Sequence, residues 1–311
     1  MGKHQVSAKK KKVSKTKAWS GKTQGGSFGQ MSIMLFLRTF GISPLYFILR
    51  LVVPFYMLFS RRNRLAIESY FRRMGYTSRW DILRLTFRNH YYFAQAMVDR
   101  FALFVNLQHR YKVRIDGNEA LLELLGSPNG AILAGAHVGN MEMAGYFFDH
   151  QEKHFHGIVF GDEVKFLNKK RMSALSKHKV EMIPVTSDMS HIFALHQALA
   201  QGGCITLHCD RILLGKKVME YPFLGAQALF PTGAFSLALR MNVPVIAIFM
   251  MREKSKRYHI IIRNLSSLIP QEGSQSEKLY AYMTQYVSML EEVLKQYPEQ
   301  WYNYYDFWKA A

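Results

Sequence analysis

Residues 129–142 read Asn129-Gly-Ala-Ile-Leu-Ala-Gly-Ala-His137-Val-Gly-Asn140-Met-Glu142. The apolar run Ala131–Gly135 predicts a short strand ending on Gly135-Ala136. His137 follows in the turn, Gly139-Asn140 opens the next helix, and Glu142 falls in its first turn. Open parallel sheets bind ligands beyond the carboxyl ends of their strands, and small residues on either side of His137 leave room for one. On one continuous helix, side chains five apart would diverge by ~140°, so pairing His137 with Glu142 needs the histidine outside the helix. From the helix start the carboxylate can reach back to the imidazole. It would then fix the tautomer and stabilise the imidazolium as a hydroxyl gives up its proton. A purely structural histidine at a strand end fits the same residues.

Around this segment, short apolar runs alternate with amphipathic stretches. Strands are expected at Lys112–Asp116, Ala131–Gly135, Gly157–Phe160, Val180–Pro184, Cys204–His208, Val243–Met250 and His259–Ile262. Helices are expected at Glu119–Leu125, Asn140–His150, Val164–His178, Met189–Ala200, Gly233–Met241 and Glu277–Gln296. This alternation predicts an α/β fold with a mainly parallel central sheet flanked by helices.

Upstream the chain changes character. Residues 1–110 hold eight Lys and twelve Arg against Glu68, Asp81 and Asp99, or +17 of the net +19; the rest is almost neutral. Such a front end calls for an anionic partner: a membrane surface, an acidic protein or nucleic acid. Residues 1–30 read as a disordered Lys-rich tail, and 31–110 as a helical, basic, membrane-associating region ahead of an α/β domain at 111–311. From Phe28 to Phe59 the sequence is strongly apolar, but Arg38, Arg50, Pro44 and Pro54 interrupt it. A spanning helix needs about 20 predominantly apolar residues. The expectation is therefore an N-terminal helical membrane-associating segment, broken and interfacial or re-entrant, on the cytoplasmic face of the inner membrane. An ordinary buried helical hairpin is the alternative.

Composition and motifs exclude other classes. At 49% hydrophobic residues the chain can bury a sizeable core. Two cysteines, Cys204 and Cys209, cannot build a disulfide framework. His150, His154 and His156 lack the acidic pattern a zinc site needs, so no metal is expected. Aromatics and arginines between residues 62 and 108 recur at helical spacing, which favours packing over nucleic-acid binding.

His137-Val-Gly-Asn-Met-Glu142 resembles the HX4(D/E) signature of the lysophospholipid acyltransferase superfamily, and later segments resemble its lipid A lauroyl/myristoyl acyltransferase branch. Gly157-Ile-Val-Phe with Asn168 and Arg171, Leu207-His-Cys-Asp210-Arg211 with Pro222-Phe223-Leu224-Gly225, Phe230-Pro-Thr232-Gly233-Ala, and Tyr297-Pro-Glu299-Gln-Trp301 carry that resemblance in order. The sequence departs from it at His208-Cys209-Asp210-Arg211, where the family turn is more acidic.

The resemblance implies an O-acyltransferase that moves an acyl chain from an acyl carrier protein or CoA thioester to a lipid hydroxyl. A lipid A-type acceptor is favoured, with a lysophospholipid or aminolipid as alternative, and no cofactor is needed beyond the thioester co-substrate. His137 with Glu142 would be the general base. Gly139 and Asn140 would offer backbone amides to an oxyanion. Asn168 and Arg171 would face the site, with Arg171 holding a phosphate or belonging to the solvated run Lys169-Lys170-Arg171. Asp210 would orient Arg or His, or be structural. Thr232 and Gly233 would shape a helix start near the acyl chain or simply cap it, and Glu299 and Trp301 would close the fold.

Overall fold

The computed structural model describes residues 26–147, 153–160, 172, 175–176, 178–185, 190–212 and 217–310. Asn168, Arg171, His150 and most of the expected helix Val164–His178 lie outside the described residues, as does the tail through residue 25.

A basic helical layer comes first: α1 (Gly26–Phe40), α2 (Ile42–Phe59), α3 (Arg61–Arg73) and α4 (Arg79–Phe104). The α/β part follows as β1 (Lys112–Asp116), α5 (Asn118–Gly126), β2 (Ala131–Gly135), α6 (Met141–Ala144), β3 (Phe155–Phe160), β4 (Val180–Val185), α7 (Ser190–Ala200) and β5 (Cys204–His208). It continues through β6 (Val218–Phe223), β7 (Ala226–Pro231), α8 (Gly233–Met241), β8 (Val245–Lys254), β9 (Arg257–Asn264) and α9 (Gln275–Gln296).

Seven strands form one sheet in the order β1-β9-β8-β2-β5-β3-β4. Every pairing is parallel except β8 with β9. β2 lies between β8 and β5 with all five residues buried, which is why it reads as an unbroken apolar run. Its side chains alternate between two cores. Ile132 and Ala134 pack with residues of α3, α8 and α9, while Ala131 and Leu133 pack with residues of α1, α2 and α4. The basic helices therefore cover both faces of the sheet.

β6 and β7, absent from the sequence expectation, form a separate antiparallel hairpin. Its two-residue turn, Leu224-Gly225, has both residues at positive φ (48° and 77°), which fits the right-handed twist of the strands. Pro222 and Pro231 and a leucine in the turn hid the alternation.

The N-terminal apolar stretch also differs from expectation in where it breaks. The break is at Gly41, whose φ of 76° favours glycine, and α2 then runs uninterrupted to Phe59. Pro44 sits in the first turn, where a helix lacks intrahelical partners for its N–H groups, and Pro54 is accommodated within the helix. At 18 residues α2 is about 27 Å long. By length and composition it could cross a membrane. One stripe, Ile42, Tyr46, Val53 and Met57, is buried, while Phe47, Leu51, Val52, Phe55, Leu58 and Phe59 face outward.

Tyr46 ties that helix to the sheet. Its hydroxyl donates to Asp99 of α4, a fully buried carboxylate that also accepts from Arg252 of β8, Tyr258 of β9 and Tyr111. Arg252 lies over the rings of Tyr46 and Tyr258, at 5.1 and 4.9 Å from their centroids.

Candidate active site

His137 stands just past β2, next to the end of β5, because Gly135 pairs in register with His208. Gly139 makes the turn possible. Its φ is +56°, and an added Cβ would lie 2.0 Å from the carbonyl oxygen of Met250. Only glycine lets the chain turn there against β8.

The carboxylate that holds His137 comes from the next loop. Nδ1 of His137 lies 2.7 Å from Oδ1 of Asp210, and its backbone N–H donates to Oδ2 at 3.0 Å. Asp210 is fully buried, whereas the His137 side chain is 28% exposed. Burial alone would raise the carboxyl pKa of Asp210. The charge and hydrogen bond of His137, with Arg211 and His208 nearby, outweigh that and hold it well below the usual carboxylate range. With Nδ1 committed to Asp210, Nε2 is the nitrogen left for a substrate. A buried carboxylate orienting an imidazole that still reaches solvent is a general-base arrangement.

Glu142 is placed differently from the sequence expectation. Its carboxylate ion-pairs with Arg100 of α4 at 3.3 Å. Among the described residues, no hydrogen bond or ion pair joins it to His137. The acid at Nδ1 is Asp210 because β5 runs beside β2 and delivers its following loop to the imidazole. The expected oxyanion amides need a second correction. The N–H of Gly139 donates to Gln300 O (2.9 Å) and that of Asn140 to Met250 O (2.8 Å), so both are already spent on backbone carbonyls. The Asn140 side chain is buried and bonds to Ala96 O of α4 at 3.3 Å. Thr232 and Gly233 begin α8. Thr232 bonds to Lys217 O through both N and Oγ1, and a Cβ on Gly233 would meet nothing within 4 Å.

Residues 25–310 match the family of bacterial lipid A biosynthesis acyltransferases. The chain belongs to that family. It is therefore an acyltransferase with a lipid A-type acceptor, as the ordered motifs implied. Comparison with curated proteins gave no match.

Against that identity, the C-terminal segment of this acyltransferase takes on weight. Residues 298–302 run beside the His137 loop: Val138 bridges Trp301, and Tyr302 N–H donates to His137 O at 2.8 Å. Gln300 exchanges two side-chain bonds with the backbone of Arg252, and Arg211 donates to Tyr302 O at 2.8 Å. Trp301, buried as a fold-closing residue should be, donates its indole N–H to Asp210 Oδ2 at 3.0 Å. His208 lies against His137 with ring centroids 4.4 Å apart. The legible signal for this clasp was Pro298-Glu-Gln-Trp301 itself; its target was not.

Both cysteines are buried and free, and burial pushes the Cys204 thiol up to about 11. Among the described residues no group of three or more His, Cys, Asp or Glu side chains could hold a metal.

Proposed function

We propose that the protein transfers a fatty acyl chain from the thioester of an acyl carrier protein to a hydroxyl of a lipid A precursor, with His137 as general base and Asp210 as its anchor. The carrying observation is the 2.7 Å contact between Nδ1 and a buried carboxylate at the mouth of a parallel sheet. The acceptor oxygen attacks the thioester carbonyl as Nε2 takes its proton. The tetrahedral intermediate collapses, the carbon–sulfur bond breaks, and the imidazolium returns the proton to the thiolate. No acyl-enzyme forms. Arg171 and Asn168 are proposed to face the substrate.

The outward faces of α1 and α2 are proposed to lie in the cytoplasmic leaflet of the inner membrane. Phe28, Leu35, Phe40, Phe47, Leu51, Phe55, Leu58 and Phe59 are exposed there, and arginines 38, 50, 61 and 62 adjoin them. The fixed Tyr46 stripe supports an in-plane helix over a crossing one. The basic front end also suits an acidic carrier protein.

The test is transfer by the full chain in detergent, with lauroyl thioesters of carrier protein and of CoA offered separately to a lipid A precursor. Transfer from the carrier thioester that vanishes in His137→Ala is the expected result. Undiminished transfer by that variant would refute the mechanism. Flotation with anionic but not zwitterionic vesicles checks the membrane face.

A further inference from the structure

Asp210 works only if its carboxylate stays in one orientation, and its own loop does not secure that. Oδ1 meets His137 Nδ1, while Oδ2 has two donors, His137 N and Trp301 Nε1. The first two bonds come from the residue being positioned. The indole is the only one of the three from an element outside the His137 turn, 91 residues along the chain from Asp210.

The indole is itself immobilised. Tyr70, Phe223 and Phe307 meet it edge-on, with centroids 5.0, 5.6 and 5.1 Å away. Asn89 of α4 donates to its backbone carbonyl at 2.8 Å. A packing role would require only a large ring. A dry tryptophan N–H must still find an acceptor, and here it finds the one carboxylate that holds the histidine. Trp308 supplies the contrast within the same cluster: its ring packs on Trp301 at 6.0 Å, but its N–H goes to the backbone carbonyl of Phe223.

We propose that Trp301 is a positioning residue for acyl transfer: its indole N–H locks Asp210 so that His137 keeps its proton on Nδ1 and presents a bare Nε2 to the acceptor hydroxyl. This rests on the general-base reading of His137. It also makes the docking of the C-terminal segment a condition for an ordered site, because the same strand of chain holds the backbone of His137 and Gly139.

The experiment compares Trp301→Phe with Trp308→Phe in the full chain. One readout is transfer from lauroyl carrier-protein thioester to a lipid A precursor. The other is the side-chain nitrogen spectrum of His137 in protein labelled with ¹⁵N-histidine, assigned by its loss in His137→Ala. Trp301→Phe is expected to lower kcat about tenfold with KM within about twofold, as for loss of one bond to a charged group. The single Nδ1–H tautomer should give way to a mixture. Trp308→Phe should leave both readouts as in the wild type. Equal effects of the two variants, or an intact tautomer in Trp301→Phe, would overturn the proposal. If Trp301→Phe does not fold, 3-benzothienylalanine at 301 keeps the ring and replaces the N–H by sulfur, with the same outcomes expected. If the wild type transfers nothing from these probes, the acyl-transfer reading fails, while the tautomer comparison still decides the role of Trp301.

Discussion

Among the described residues two aspartates are fully buried, and they do opposite things. Asp99 accepts from Arg252 and three tyrosines, all closed off from solvent, and so joins α2 and α4 to the sheet. Asp210 accepts from His137 and Trp301, and its histidine remains open to solvent. The desolvation cost is similar in kind, and donors offset it in both cases. The partner makes the difference. An arginine keeps its proton and yields architecture, whereas an imidazole can exchange one and yields chemistry.

That contrast can be broken. The largest expected effect is on turnover: His137→Ala should lower kcat roughly 10²–10⁴-fold. Asp210→Asn should lower kcat more than Glu142→Gln, and the reverse order would return Glu142 to the imidazole. On the other side, Arg252→Met strands Asp99 and should cost about 3–5 kcal/mol in denaturant unfolding, while the folded fraction keeps its kcat. A loss of turnover there without a loss of stability would erase the distinction. Gly139→Ala should cost about 1–3 kcal/mol and also slow transfer, since the Cβ meets Met250 O and displaces the turn that carries His137. The smallest effect concerns pH. Folding depresses the carboxyl pKa of Asp210, so its stabilisation is present above the unfolded value near 4 and lost as pH falls through the lower folded value. Asp210→Asn should flatten the acid side of the stability–pH curve, and an unchanged slope would show that Asp210 is not held as described.

The acid at His137 was hard to read for a definite reason. Glu142 lies five residues away and looks like the natural partner, while Asp210 is 73 residues off and becomes a neighbour only through the pairing of β2 with β5. Spacing reports what one helix or turn can bring together, not which loops share an edge of a sheet. The amides of Gly139 and Asn140 misled similarly. They stand at a helix start, but α6 is only a four-residue turn, and β8 and the C-terminal segment take those bonds.

Local chemistry was enough for the strands of the central sheet, the histidine at the tip of β2, the basic front end and the ordered motifs of the family. Apolar runs, glycines and charge carry their meaning within a few residues. Tertiary structure alone decided which carboxylate meets the imidazole, that the indole of Trp301 completes that contact, and that α2 turns one stripe inward and the other out. Each of these depends on residues far apart in the chain, and only the closing of the sheet and its helical layers brings them within hydrogen-bond reach.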